Sequence, residues 1–103
     1  EGIVVSTFSE WTPTPQEPGN GKRGGNYLWI YHPALHVFAY YAHLKDITAT
    51  LGDRVAGGQP IAILGRTGTN AYTDRSPTHL HLMLLQASDM IPVDPYPWLK
   101  KAF

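Results

Sequence analysis

Glycine and proline punctuate this chain so densely that only short extended pieces fit between them. Ten glycines and nine prolines stand among 103 residues. Proline fixes φ and removes a donor, and glycine costs entropy in any regular element, so residues 12–25, with Pro13, Pro15, Pro18, Gly19, Gly21, Gly24 and Gly25, read as a loop. Before it, residues 3–8 are short, β-branched and apolar and predict a strand. After it, residues 26–32 alternate Leu28, Ile30 and His32 against Tyr27, Trp29 and Tyr31. Residues 37–44 have the same character, so a hairpin across 33–36 is the natural connection, with His43 at the strand's exit. Between Leu51 and Gly65 glycines turn the chain every few residues, a spacing suited to a small barrel or sandwich. The expected fold is mainly β, an antiparallel small barrel or sandwich. One short C-terminal helix is expected, with Asp94 as N-cap, Pro95 at the first position and lysines in the last turn.

The stretch richest in chemistry is 76–85, a proline-led turn running into an apolar strand with two histidines two positions apart. Alternation puts His79, His81 and Met83 on one face and Leu80, Leu82 and Leu84 on the other, with the imidazoles about 6.6 Å apart along the strand. The leucine face is expected to be buried and to hold the strand rigid, as a metal site requires of its ligands. The polar loop 67–77 delivers the chain to this strand and is a candidate wall of a site, with Tyr72 the aromatic best placed to line it.

Composition narrows the chemistry. Eight basic residues balance eight acidic ones, so no net field draws nucleic acid or an anionic membrane. No apolar run approaches the roughly 20 residues of a membrane span. The chain has no cysteine, so a metal must be held by imidazole, carboxylate and water. A hydrolytic zinc site needs three protein ligands and an open position, and His81 can supply one ligand. An imidazole that does not bind metal can move a proton or hold an oxyanion, which makes His79 and His43 candidates for that work. Asp46, Asp53, Asp74 and Asp94 sit at turns and read as solvated or capping carboxylates. His36 reads as a solvated turn residue, and His32, in phase with Leu28 and Ile30, as a hydrogen-bonded structural one.

Several fragments together resemble the M23 zinc metallopeptidases, the lysostaphin and LytM type of cell-wall endopeptidase. They are Tyr41-Ala42-His43-Leu44, Gly52-Asp53-Arg54-Val55 with Gly58-Gln59-Pro60-Ile61, Gly65-Arg66-Thr67-Gly68, His79-Leu80-His81 and Val93-Asp94-Pro95. Each fragment is weak alone, but their order and separations agree along the chain. The resemblance implies a barrel-sandwich hybrid fold of the duplicated hybrid type and hydrolysis of peptide cross-links or stem peptides of bacterial peptidoglycan, outside the cytoplasm. It implies zinc as the cofactor, His81 as a zinc ligand, and His43 and His79 as the two catalytic histidines. In the family the other ligands come from a His-x-x-x-Asp motif ahead of the strand that 2–5 resembles. Residues 1–103 are therefore expected to be a single M23-like domain lacking its N-terminal portion, with an upstream segment of the same protein as the source of those two ligands. Two further departures bear on substrate choice: the loop between Gly68 and His79 is longer than the family's usual turn, and Leu82-Met83 stands where an aromatic and a glutamate are frequent.

The alternative of another class is a catalytically silent LytM-like module that binds and regulates a cell-wall amidase or other partner, against which the three retained histidines argue. Gly-Asp-x-Val-x-x-Gly-Gln also occurs in biotinyl and lipoyl carrier domains, but these modify a lysine at a hairpin tip, and no lysine lies between Lys45 and Lys100.

Overall fold

The computed structural model describes residues 1–10, 25–68, 78 and 80–97. They form a single antiparallel sheet of seven strands: β1 (Gly2–Phe8), β2 (Asn26–His32), β3 (Val37–Ile47), β4 (Arg54–Val55), β5 (Ala62–Leu64), β6 (His81–Gln86) and β7 (Pro92–Val93). The order is β4-β1-β2-β3-β6-β7, and β5 also pairs with β3. β2 and β3 are the expected hairpin, turned by residues 33–36 with His36 at φ 54°.

The period of two places Leu28, Ile30, Ala39 and Leu84 on one face, where each is buried. Val4 joins Ile30 across the β1/β2 ladder, and the core cluster of Val4, Leu28, Ile30, Leu44 and Val55 forms beneath it. Tyr41, Ile47, Ala49, Ile61 and Ala62 pack against that cluster, so the glycine-punctuated segment covers this half of the sheet. Its motif residues are structural. The Val4 amide donates to the Asp53 carbonyl at 2.9 Å, the Gly52 amide donates to the Val4 carbonyl at 2.8 Å, and Gln59 Oε1 accepts from the Ala56 amide at 3.1 Å. On the other face the aromatics pair across strands, Trp29 with Tyr40 at 4.7 Å and Tyr31 with Phe38 at 5.0 Å between ring centroids.

Two expectations need correction, and a third, the C-terminal helix, falls largely outside the described residues. Among the described residues the sheet does not close into a barrel or sandwich. β3 spends the same edge on two partners, β6 along Val37 to Ala42 and β5 along Leu44 to Ile47, so the sheet branches instead of curling shut. The C-terminal helix is not supported: Asp94 Oδ1 does accept from the Tyr96 amide at 3.0 Å, as an N-cap would, but residues 98–103 lie outside the described set. The leucine face of the His strand is also graded rather than uniformly buried. β6 begins at His81, and Leu80 is 47% exposed at the mouth of an apolar hollow lined by Tyr41, Leu44, Ile61 and Leu64. Leu82 is half-buried beside a second hollow of about 170 Å³, and only Leu84 is sealed. Leu85, on the histidine face, is sealed as well, between Phe38 and Pro92 on the flanking strands.

Truncation should follow this gradient. Leu28→Ala and Leu84→Ala are expected to destabilise by about 2–5 kcal/mol, and Leu80→Ala by less than about 1 kcal/mol, because an exposed side chain leaves no cavity. Denaturant midpoints of the three variants check this; an equal loss at Leu80 would mean that the hollow it lines is closed in solution.

Candidate active site

His81 opens β6 and is exposed, and Ala42 of β3 faces it directly across the ladder. Strict alternation would send the next residue, His43, to the opposite face of the sheet. A bulge changes that. Two steps along β2, Asn26 to Leu28, correspond to three along β3, Leu44 to Tyr41. His43 occupies the added step with φ 61°, a left-handed conformation that costs a residue with a Cβ about 1–2 kcal/mol. Bulges commonly re-aim a side chain beside a functional site. Here the His43 ring comes edge-on to the His81 ring, with centroids 5.9 Å apart and planes at 88°.

The tautomer of the neutral His43 ring is also set. Its Nδ1 lies 2.8 Å from the Thr67 carbonyl oxygen. A carbonyl only accepts, so Nδ1 carries the proton and Nε2 is the basic nitrogen of the neutral ring. Arg66, the residue before Thr67, donates from Nη1 to Thr78 Oγ1 at 3.2 Å and so links this turn to the segment entering β6. Sequence reasoning found the Gly65-Arg66-Thr67-Gly68 motif but gave Thr67 no task.

The floor beside His81 is aromatic. Tyr40 meets the His81 ring edge-on at 5.9 Å, Trp29 and Tyr27 lie 4.7 and 5.9 Å from Tyr40, and Phe8 stacks on Tyr27 at 5.8 Å. These rings are half-buried: they pack on the sheet and still present surface. Burial, and then the neighbouring Tyr27 phenol, push the Tyr40 phenol above its ordinary value of 10.0. Tyr40 therefore stays neutral, with a proton to donate, throughout the physiological range.

The remaining candidates separate. His79, Tyr72 and Asp74 lie outside the described residues. His32 Nδ1 donates to the Glu1 carbonyl at 3.0 Å, and His36 is an exposed turn residue whose carbonyl accepts from the Ala87 amide at 2.8 Å. Asp53 Oδ2 accepts from the Thr50 amide at 2.9 Å, the capping role expected of a turn carboxylate. Among the described residues no three His, Cys, Asp or Glu side chains converge as a metal site. The donor chemistry is of a kind zinc accepts: His81 offers an exposed imidazole on a strand anchored at Leu84 and Leu85.

The model of Peptidase family M23 matches residues 2–95. The glycyl-glycine endopeptidase ALE-1 of Staphylococcus capitis is 35% identical over 79 residues, which cover 77% of this chain and 21% of ALE-1. The catalytic domain of lysostaphin, an antimicrobial peptidase from Staphylococcus simulans, superposes with a TM-score of 0.71 at 27% identity, over 96% of this chain and 65% of that one. A zinc-containing peptidase from Vibrio cholerae superposes with a TM-score of 0.66 at 30% identity, over 90% of this chain and 23% of that one. The chain thus spans about a fifth of the curated relative it matches and just under two thirds of the lysostaphin catalytic domain.

The Tyr40 phenol provides a check on the packing of the aromatic floor. Its folded-state pKa lies above the unfolded one, so the stability it contributes is fully present below the unfolded value and is lost as pH rises through the folded one. Between about pH 9 and about pH 11 the thermal midpoint of Tyr40→Phe should fall less than that of the parent. Parallel declines would place Tyr40 in open water.

Proposed function

Because this chain belongs to peptidase family M23, we propose that it forms the catalytic part of a zinc-dependent endopeptidase that hydrolyses peptide cross-links or stem peptides of bacterial peptidoglycan, in cell-wall remodelling or lysis. The observation that carries the reading is the edge-on His43–His81 pair, in which one ring is held at Nδ1 by a carbonyl while the other is exposed at the start of a strand anchored at Leu84 and Leu85. Peptide hydrolysis removes a proton from the attacking water and returns one to the leaving amine. An imidazole tethered at Nδ1 can do both at Nε2. His43 takes this role together with His79, and His81 is a zinc ligand. Zinc, when bound, supplies Lewis acidity for attack on the scissile amide.

The other ligands are assigned to a His-x-x-x-Asp segment upstream in the same protein. The peptide substrate lies along the aromatic floor of Tyr40, Trp29 and Tyr27, whose half-buried faces suit an extended, uncharged backbone. The site of action is extracytoplasmic, in the periplasm, the cell envelope or the medium, where peptidoglycan is reached. No described helix is long and apolar enough to cross a membrane.

A longer chain that includes the upstream segment should bind zinc and cleave peptidoglycan peptides, losing activity to a chelator and regaining it with metal. His81→Ala should lose zinc and cleavage together. His43→Ala should keep zinc and lose cleavage by at least about 100-fold, the usual scale of one general acid–base group. Stoichiometric zinc without cleavage of any peptidoglycan peptide would sink the enzyme reading and leave a module that binds and regulates a partner.

A further inference from the structure

His43 stands in an unfavourable backbone conformation, and its imidazole is oriented through a contact to another segment. We infer that the Thr67 side chain is the positioning element of His43, a hydroxyl clamp that fixes the carbonyl on which the imidazole hangs. The inference rests on the reading of His43 as the proton-handling group, but it concerns how the ring is held, which can be measured without any turnover.

The hydroxyl is used twice. Thr67 Oγ1 accepts the Asn26 amide proton at 2.9 Å and donates to the Leu44 carbonyl at 2.7 Å. One small group therefore joins the start of β2 to the residue that follows His43 in β3. Asn26 is 4% exposed, so water is a poor substitute partner for its amide. Its side chain completes the seam, with Nδ2 donating to the Lys45 carbonyl at 3.3 Å. From the other side the Gly65 amide donates to the His43 carbonyl itself at 3.0 Å.

The segments on either side of this seam are pressed together by two glycines. A Cβ on Gly25, which has φ 69°, would collide with the Thr67 and Gly68 backbone. A Cβ on Gly65 would come within 2.6 Å of the Lys45 amide nitrogen. Thr67 is thus gripped by Gly25 and Asn26 on one side and by Leu44 on the other, and its carbonyl points at His43 Nδ1 as a consequence. The His43 side chain is separated from the clamping hydroxyl by a single residue's backbone. In this arrangement Thr67 acts through His43.

The experiment is long-range nitrogen–proton NMR of the imidazoles in this chain, at a pH where they are neutral. The parent should show His43 as the single Nδ1–H tautomer. Thr67→Val, which keeps the branched shape and removes the hydroxyl, should convert it to a mixture containing Nε2–H, the form an unrestrained histidine favours. Thr67→Ser should restore the single tautomer. Val37→Ala serves as a control, because it removes buried volume at the far end of β3, outside the cluster that holds Leu44, and should leave His43 unchanged. If Thr67→Val does not fold, Gly25→Ala takes its place, since it keeps the hydroxyl and displaces the turn; it should show the same loss. A single Nδ1–H tautomer in Thr67→Val, or in Gly25→Ala where that variant stands in, would overturn the inference. So would a mixture in Thr67→Ser. A chain with the expected tautomers that cleaves nothing when complete would overturn the peptidase reading and leave the clamp standing.

Discussion

One extra residue in β3 governs how this molecule is arranged. On the side of Val37 to Ala42 the strand pairs in register with β2 and β6; past His43 it resumes pairing with β2 at Asn26 and takes β5 as its second partner. The step between the two stretches absorbs a register mismatch, and the left-handed φ of His43 is its local cost. Without that step, alternation would bury His43 among the aliphatic side chains of the covered face. With it, the ring turns to the face that carries His81. The meeting of the two histidines follows from this one residue.

The sheet divides its labour by face. Leu28, Ile30 and Ala39 seal one side, while Tyr27, Trp29 and Tyr40 on the other side remain half-buried and lead to His81. The covered side is sealed unevenly. It is tight beneath β1 and β2, where the segment carrying β4 and β5 lies across it, and hollow near Leu80 and Leu82. The strand that presents His81 is anchored at its far end, at Leu84 and Leu85, rather than along its length.

How much of this could be read from the sequence varies with the range of the interaction. β2 falls on residues 26–32 as its alternation requires, and β1 and β3 follow from the same local pattern. Period tells which side a residue faces but not how far its cover extends, so alternation puts Leu80 on the core face although it is 47% exposed. Closure of a sheet depends on pairings between distant segments that no local pattern encodes. The bulge gave no sign because the usual marker of a left-handed residue is glycine, and here a histidine occupies the position. Thr67 escaped notice for a similar reason: its bonds reach Asn26, His43 and Leu44 across 41, 24 and 23 residues, and one of them uses a backbone carbonyl that every residue possesses.

The outermost strands of the sheet, β4 and β7, are two residues each. An edge that short offers an incoming chain only a few hydrogen bonds, too little template to seed strand addition. Sheets with long bare rims tend to recruit one another into fibres, and a cell guards against that by charging or covering the rim. Here the two end strands are kept short, and they pair only Gly2 and Ile3 of β1 and Leu84 and Leu85 of β6. A second copy finds little to pair with at β4 and β7 themselves, while one broad face of the sheet stays turned towards a ligand.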